Sequence, residues 1–347
     1  MSQPVIIFDP SPRSRELIFS AEDWKRLNSL GRVISHEGAG RMDDALVDEY
    51  LPQASLIIGQ TDLPAERLER AEPLRAIINV EGNFYPNVDY KIAFARGIRV
   101  LGIGPAFSLP VAEMALGMAI DAARGITRAD RAFRAGREGY GKADNAGSFL
   151  LTGADMGFVG FGHLGRSLLP LLQPFRPTIR VFDPWVPPGA LREHGLVPDS
   201  LEGVLSKSKV TFVLAGVTEE NYGMIGAEQL ALIPGGAAFL LMSRAPIVDW
   251  DAFLEASREG RFRAATDVFP QEPVSPDDPV RRHDHMILSA HRAGGIKEAF
   301  LRIGEMVADD AGLLLSGLPP ARLQSAHPET VARLRSTPGQ QHTTETK

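Results

Sequence analysis

One short glycine pattern in this chain could hold the phosphates of a dinucleotide. An apolar run, residues 156–159, leads into Gly160-Phe161-Gly162-His163-Leu164-Gly165 and then into a helix-like stretch. In such a turn the first glycine permits a tight bend, the second lets the backbone approach a pyrophosphate, and the third lets helix and strand pack closely. The helix start adds free N–H groups and partial positive charge. We therefore expect the turn, with His163 and Leu164 at the helix start, to bind a dinucleotide.

An acidic residue at the end of the next predicted strand supports the same interpretation. Residues 179–182 read as that strand, and Asp183 follows where a ribose-binding acid should stand. A glycine pattern alone is weak evidence in a chain with 34 glycines, and a chance glycine turn is the alternative. The succession of strand, turn, helix, strand and acid favours the dinucleotide site.

Three side chains that could carry chemistry lie at the ends of later predicted strands: Arg244, Glu272 and His291. In open parallel sheets, ligands bind outside the carboxyl ends of the strands. Each residue alone has a plainer explanation, since an arginine there is often in a surface ion pair, a glutamate before proline in a solvated loop, and a histidine in a structural hydrogen bond. Only their combination points to a reaction.

The elements that must position these residues alternate between apolar strands and helix-like stretches. Because the strands are apolar throughout, we expect parallel sheets covered on both faces. The predicted strands are residues 5–8, 33–34, 56–58, 76–78 and 99–101 in a first α/β domain, and residues 156–159, 179–182, 210–214, 237–241, 264–268 and 286–288 in a second.

The order of the elements also predicts the domain boundaries. A long helical segment, residues 110–137, separates the two α/β patterns, and its arginines favour a solvated or interfacial face. A last helix, residues 296–315, could return to the first domain. We expect a discontinuous substrate domain, residues 1–109 and 297–327, and a cofactor domain, residues 110–296. The polar residues 328–347 are predicted to be a disordered tail.

Composition narrows the classes of protein that remain. The 347 residues are 44% hydrophobic and 23% charged, with a net charge of −6, which is ordinary for a soluble globular chain and disfavours nucleic-acid binding. The absence of cysteine excludes disulfides, thiol catalysis and cysteine metal sites, and we expect no metal. The first residues do not resemble a signal peptide, and the apolar residues 111–123 are too few to span a bilayer. We expect a cytoplasmic protein without a membrane partner.

Together these residues resemble the D-isomer-specific 2-hydroxyacid dehydrogenases, and in particular the phosphoglycerate dehydrogenase-like members. The resemblance extends from about Leu74 to Ala299 and includes the glycine turn with Asp183. Its other specific parts are Val111-Ala-Glu113, Val217-Thr-Glu-Glu-Asn-Tyr-Gly-Met-Ile225, Arg244 with Ile247-Val-Asp249, Ala265-Thr-Asp-Val-Phe-Pro-Gln-Glu-Pro273 and Ala290-His-Arg-Ala-Gly294.

The resemblance implies a flavodoxin-like substrate domain, a Rossmann NAD-binding domain and a role for each candidate residue. Arg244 would hold the substrate carboxylate and carbonyl, His291 would exchange a proton with the hydroxyl, and Glu272 would orient the histidine. Ser243 and Asp267 would contact the cofactor, Asp267 at the nicotinamide carboxamide. The loop Glu81-Gly82-Asn83 would bind the substrate.

The sequence departs from the family pattern at several positions. Ala245 and Ala290 stand where the family usually has glycine and proline, and Leu214-Ala-Gly216 replaces the usual His-x-Pro. The substrate loop is longer than usual and contains Glu81. Arg292 follows the presumed base, where it could bind a second anionic group or, equally, form a surface ion pair.

The sequence thus predicts an NAD-dependent oxidoreductase that interconverts a 2-hydroxy acid and a 2-oxo acid, acting as a homodimer on a small-molecule substrate. The alternative is an NAD(H)-sensing protein, since the family also resembles transcriptional corepressors that keep the dinucleotide site and the catalytic residues. A class I methyltransferase also uses a glycine turn, but it would not explain the arginine, glutamate and histidine.

Overall fold

The computed structural model describes residues 3–36 and 40–333, and the chain divides into two compact units. Unit 1 comprises Met1–Phe107 and Gly295–Lys347, and unit 2 comprises Ser108–Gly294. The sequence had placed these divisions after residue 109 and before residue 297. Both predicted boundaries differ from the observed ones by two residues. The first observed boundary falls inside a continuous helix, Gly104–Arg124, whose start the sequence does not mark.

Strands and helices alternate through both units. The strands are β1 (Val5–Asp9), β2 (Arg32–Ser35), β3 (Ala54–Gly59), β4 (Ala76–Asn79), β5 (Arg99–Gly102), β6 (Asp155–Val159), β7 (Thr178–Phe182), β8 (Val197–Pro198), β9 (Val210–Val213), β10 (Ala238–Leu241), β11 (Arg263–Thr266), β12 (Met286–Leu288) and β13 (Gln324–Ser325). The α-helices are α1 (Arg15–Ile18), α2 (Ala21–Leu30), α3 (Asp44–Tyr50), α4 (Ala65–Arg70), α5 (Tyr90–Ala95), α6 (Gly104–Arg124), α7 (Ile126–Arg134), α8 (His163–Leu172), α9 (Pro188–Glu193), α10 (Leu201–Lys207), α11 (Ala227–Ala231), α12 (Trp250–Arg258), α13 (Lys297–Leu315) and α14 (Pro328–Val331).

Unit 1 is built on a sheet in the order β13-β5-β4-β3-β1-β2. Its five main strands are parallel and have the doubly wound order 2-1-3-4-5 that is typical of flavodoxin-like domains, whereas β13 pairs antiparallel with β5. Alternate residues of one strand enter separate cores, as Ile6 and Ile7 of β1 do. A strand buried on both faces needs apolar residues at every position, which explains the unbroken apolar runs in the sequence.

Unit 2 is built on a parallel sheet in the order β12-β11-β10-β9-β6-β7-β8. The order reverses beside β6, the strand that leads into the glycine turn, as it does in Rossmann domains. Two apolar clusters cover its faces, and Phe158 and Val159 of β6 enter one each. The predicted fold class, two doubly wound α/β domains of flavodoxin-like and Rossmann type, is therefore confirmed.

The long helical segment predicted over residues 110–137 is two helices rather than one. Helix α6 starts earlier, at Gly104, and continues through Pro110 to Arg124. Gly125 has a left-handed φ of 67° and separates it from α7, whose Thr127 N–H donates to the Asp121 carboxylate over 2.8 Å. Glycine is the residue that adopts this conformation without strain, so the break has a local cause.

Helix α6 is long and apolar enough, by length and composition, to cross a membrane, although the apolar run read from the sequence was shorter. Its residues Ala112, Ala115 and Ala119 are fully buried against β-strand residues of unit 2. The core helix of a soluble protein passes the same test of length and composition.

The segment predicted as a disordered tail begins with ordered structure. Residues Pro328–Val331 form a helical turn, and the preceding β13 completes the sheet of unit 1. Residues 334–347 lie outside the described part of the chain.

Candidate functional site

The glycine turn of unit 2 has the shape that a dinucleotide requires. Gly160 has a φ of 97°, and a Cβ at this position would lie 2.7 Å from the backbone N and Cα of Ala215. At Gly165 a Cβ would lie 3.2 Å from the carbonyl oxygen of Gly160. At Gly162, by contrast, a Cβ would meet no described atom within 4 Å. The first and third glycines are therefore needed for packing, and the second borders open space.

Helix α8 begins immediately after this open position. Its N-cap is Gly162, which has no side chain to accept the first N–H groups, and His163 and Leu164 form the start of the helix. The first N–H groups of a helix point along its axis and favour an anion. The open side of Gly162 and this uncapped start together fit the pyrophosphate of NAD.

Asp183 follows β7 and connects two loops. Its Oδ2 accepts a hydrogen bond from the Phe161 N–H over 2.7 Å, and its Oδ1 accepts one from the Trp185 N–H over 2.8 Å. A carboxylate has about four acceptor sites, so ribose hydroxyls can still be bound. The bond to Phe161 fixes the glycine turn relative to Asp183, a contact that sequence spacing did not predict.

Glu272 and His291 are brought together after neighbouring strands. Glu272 lies in the loop after β11 and His291 after β12, and the two strands pair in parallel. The Nδ1 of His291 lies 2.5 Å from the Oε2 of Glu272, and the Oε1 of Glu272 accepts the Phe269 N–H over 2.9 Å. Both carboxylate oxygens of Glu272 are thus engaged. His291 is exposed, and because its Nδ1 faces Glu272, its Nε2 is the ring nitrogen that can face a substrate.

Arg244 follows β10, the next strand in the sheet. Its Nη1 donates to the carbonyl oxygen of Ser243 over 2.7 Å. The positive charge of Arg244 also contributes to lowering the pKa of Glu272. Burial raises the pKa of that carboxyl, but the hydrogen bond and charge of His291, the Phe269 N–H and the Arg244 charge outweigh burial, and the net pKa lies below its ordinary value. All three predicted residues therefore lie at one edge of the sheet, and Glu272 is ionised there.

The loop that carries His291 is held by Asp267, which is 1% exposed. Its backbone carbonyl accepts the His291 N–H over 2.7 Å, and its carboxylate accepts the N–H groups of Arg292 and Ala293, each over 3.0 Å. These bonds hold His291 at a left-handed φ of 48°, a conformation that is uncommon outside glycine but in which histidine, asparagine and aspartate are enriched. The sequence predicted a cofactor contact for Asp267 and missed this structural one.

Ser243 supplies an unsatisfied polar group near the same edge. The residue is 8% exposed, and its buried Oγ has no hydrogen-bond partner within residues 3–36 and 40–333. The buried hydroxyls of Ser208, Thr211 and Ser257 also lack a partner, so a ligand is one of several groups, with water, that can satisfy such an atom. This observation agrees with the predicted cofactor-binding role of Ser243.

In unit 1 the loop after β4 presents both donors and a charged pair. The N–H groups of Gly82 and Asn83 have no acceptor among the residues that the structure describes. The Glu81 carboxylate accepts a hydrogen bond from Arg13 over 3.0 Å. Arg13 comes from the loop after β1, and the sequence analysis did not identify it, because no local pattern links residues 68 positions apart.

Arg292 is exposed, and its side chain makes no ion pair with any residue in the described ranges. The surface ion pair considered from the sequence is therefore not found there. Within the described residues the guanidinium of Arg292 has no partner, whereas the Arg292 backbone N–H donates to the Asp267 carboxylate.

Comparison with known proteins agrees with this geometry. Residues 116–293 match the model of the NAD-binding domain of the D-isomer specific 2-hydroxyacid dehydrogenases. The fold is similar to that of a phosphoglycerate oxidoreductase from Rhizobium etli, with a TM-score of 0.87 and 46% identity over 95% of this chain and 100% of that one.

Two curated relatives are similar in sequence. A D-3-phosphoglycerate dehydrogenase of Archaeoglobus fulgidus is 29% identical over 89% of this chain, which spans 57% of that relative's length. A glyoxylate reductase of Korarchaeum cryptofilum is 32% identical over 74% of this chain and 78% of its own. Unit 2 is an NAD-binding domain, and the chain belongs to the D-isomer specific 2-hydroxyacid dehydrogenase family.

Proposed function

We propose that this chain is an NAD-dependent oxidoreductase that interconverts a 2-hydroxy acid and a 2-oxo acid. The observation that carries the proposal is the 2.5 Å contact between His291 and Glu272, which follow strands of the same parallel sheet that leads into the glycine turn. An ionised carboxylate on one ring nitrogen fixes the histidine tautomer and the orientation of the ring. The other nitrogen can then exchange a proton with a substrate hydroxyl.

The roles follow from what the reaction moves. Oxidation of a 2-hydroxy acid removes a hydride from C2 and a proton from the hydroxyl oxygen. NAD supplies the hydride acceptor when it is bound. His291 takes the hydroxyl proton through Nε2 in oxidation and returns it in reduction. Arg244 offers planar paired donors to the carboxylate and carbonyl of the substrate, for which an ammonium group has no equivalent geometry.

The cofactor contacts are assigned to the remaining residues of unit 2. The turn Gly160-Phe-Gly162-His-Leu-Gly165 holds the pyrophosphate, and Asp183 accepts hydrogen bonds from the adenosine ribose. The unpartnered hydroxyl of Ser243 supports a contact with the cofactor. A contact of Asp267 with the nicotinamide carboxamide stays a prediction, since the hydrogen bonds of its carboxylate in the structure are to the N–H groups of Arg292 and Ala293.

The substrate class is proposed from unit 1 and from Arg292. The unbonded N–H groups of Gly82 and Asn83 suit a carboxylate, and Glu81 suits hydroxyl groups. The exposed Arg292 suits a second anionic group. The name of the Rhizobium etli relative, a phosphoglycerate oxidoreductase, supports a polar and larger 2-hydroxy acid over lactate or glycolate.

The test is the oxidation of NADH by purified chain with a panel of 2-oxo acids, from glyoxylate and pyruvate to hydroxypyruvate and phosphohydroxypyruvate. Saturable turnover with at least one polar member supports the proposal. If NADH binds and no member of the panel is reduced, the chain is a cofactor-sensing protein and the enzymatic proposal is wrong. If glyoxylate or pyruvate is the best substrate, the substrate class is wrong but the reaction is not.

We further propose that the chain acts as a homodimer in the cytoplasm. Large apolar side chains are exposed on and after α7, including Ile126 at 54%, Phe133 at 63% and Leu150 at 69% exposure. Exposed apolar side chains that form one patch are typical of an interface, and we propose that these do. The acidic net charge and the lack of cysteine support the location.

A further inference from the structure

The strongest feature that the proposed function leaves unexplained is the charged pair in unit 1. The side chains of Arg13 and Glu81 are only 14% and 19% exposed, and their charged atoms meet at 3.0 Å. Taking two charges out of water is unfavourable unless their geometry is good and their other hydrogen bonds are made. A pair placed in a predicted substrate loop therefore calls for a reason beyond stability.

Arg13 is fixed on several sides. Its Nε donates to the carbonyl oxygen of Val80 over 2.8 Å and its Nη2 donates to Glu81. The guanidinium carbon lies 5.4 Å from the centre of the Phe107 ring and 5.2 Å from that of Phe300, within the range of a cation–π contact. Nη1 has no hydrogen-bond acceptor among the residues of the described ranges, so it is a fixed donor that still lacks a partner.

Glu81 is fixed in a complementary way. Its backbone N–H donates to the Oδ1 of Asn79 over 2.7 Å, and its Oε2 is taken by Arg13. Its Oε1 has no donor in the part of the chain that the structure describes. Burial raises the pKa of Glu81, and the charge and hydrogen bond of Arg13 lower it by less, so that the net pKa is above its usual value. The pair thus leaves one acceptor, the Oε1 of Glu81, and one donor, the Nη1 of Arg13, without partners among the described residues.

A neighbouring acceptor and donor match one small group, the hydroxyl, which donates one hydrogen bond and accepts others. A phosphate or carboxylate would be repelled by Glu81, and an alkyl group would leave both polar atoms without partners. The next two residues, Gly82 and Asn83, offer the unbonded N–H groups assigned above to the substrate carboxylate.

We propose that Arg13 is a specificity-determining residue and that the Arg13–Glu81 pair selects 2-oxo acids that carry a free hydroxyl group. The inference rests on the proposed function, which supplies the 2-oxo acid and its reduction. It adds a residue from the loop after β1 that recognises this hydroxyl.

Two substrates of nearly equal size test the pair directly. Hydroxypyruvate and 2-oxobutyrate differ by a hydroxyl in place of a methyl group at C3. Hydrogen bonds to charged groups correspond to about 10- to 100-fold in relative kcat/KM. We expect the wild-type chain to prefer hydroxypyruvate by at least about 10-fold, and the double variant Arg13→Met/Glu81→Met to bring the ratio close to one while 2-oxobutyrate is still reduced.

Two more variants make the test independent of folding. Arg13→Lys keeps the charge opposite Glu81 but cannot present a second nitrogen, and it should also lower the ratio. The control Arg70→Met removes an exposed ion pair of 2.8 Å with Asp48 elsewhere in unit 1 and should leave the ratio at the wild-type value.

The outcomes separate this inference from the function on which it rests. A wild-type ratio near one, or an unchanged ratio in Arg13→Lys and in the double variant, would overturn the role of the pair and leave the reaction intact. Failure of the wild-type chain to reduce any 2-oxo acid in the panel would overturn both.

Discussion

His291 and Asp267 are joined at the backbone, because the His291 N–H donates to the Asp267 carbonyl oxygen over 2.7 Å. The same aspartate binds the two following N–H groups through its carboxylate. The position of the histidine is therefore set by Asp267, and the orientation of its ring by Glu272. Backbone and ring have separate supports, so substitutions can test them separately.

Replacement of His291 should remove turnover without removing the cofactor. We expect His291→Ala to lower kcat by about 10²- to 10⁴-fold, since proton transfer is lost. The dissociation constant for NADH, measured by fluorescence titration, should stay near that of the wild type. His291→Asn tolerates the left-handed backbone better and should give the same loss. The exposed His285→Ala is the control, and near-normal turnover in His291→Ala would refute the assignment.

The ionised state of Glu272 predicts the direction of a pH effect. Because the pKa of this carboxyl is lowered in the folded protein, Glu272 stays charged throughout the pH range in which a glutamate ordinarily becomes protonated. It loses its charge only as the pH falls through the lowered value. Glu272→Gln removes that charge at every pH. The decline in kcat/KM for reduction that the wild type shows as the pH falls through the lowered pKa of Glu272 should therefore be absent from the variant. Superimposable profiles for variant and wild type would count against the pair.

The open side of Gly162 can be tested by adding one methyl group. A Cβ at this position meets nothing within 4 Å, so Gly162→Ala should fold with an unchanged Tm. If the pyrophosphate lies there, NADH affinity should fall by about 10-fold or more, a change of about 1.4 kcal/mol. Gly189→Ala, also free of contacts within 4 Å, is the matched control. Equal NADH affinity in the two variants would remove Gly162 from the cofactor site.

Asp183 predicts the choice of cofactor. Its negative charge should accept the ribose hydroxyls and repel a 2′-phosphate, which corresponds to a preference for NAD of about 2 kcal/mol or more. We expect kcat/KM for NADH to exceed that for NADPH by at least about 30-fold with the same 2-oxo acid. Comparable efficiencies would contradict the predicted role.

The exposed apolar side chains of α7 predict an interface. Phe133→Asp places a charge where Phe133 is 63% exposed, and it should convert the proposed dimer to a monomer in sedimentation velocity at micromolar concentration. Tyr222→Asp changes a side chain that is 72% exposed elsewhere in unit 2 and should leave the dimer intact. A wild-type monomer, or a variant that stays dimeric, would reject this surface.

Much of the fold could be predicted because both sheets are buried on both faces. Such strands need an apolar residue at every position, so β3 and β10 stand out in the sequence. The two-residue strands β8 and β13 were missed, since a pair of residues carries no pattern. The start of α6 was also missed, because Pro110 reads as the first residue of a helix but lies inside this one.

The candidate site was predictable where a residue type follows a strand, and not where a contact joins distant loops. Arg244, Glu272 and His291 were found from their places after β10, β11 and β12. Arg13 was not, because its partner is 68 residues away and is reached only once β1 and β4 lie in one sheet. For the same reason the sequence assigned Asp267 a ligand and missed its backbone bonds.

The two hydrogen bonds of Asp183 restrict how this protein could change its cofactor. A smaller or neutral residue here would admit a 2′-phosphate, but it would also release the N–H groups of Phe161 and Trp185. The same substitution that changed the cofactor would therefore remove the hydrogen bond between Asp183 and Phe161 that holds the glycine turn. Conversion to NADPH, by laboratory evolution or by natural drift, should therefore require a compensating change in one of these two loops before or together with the loss of the acid.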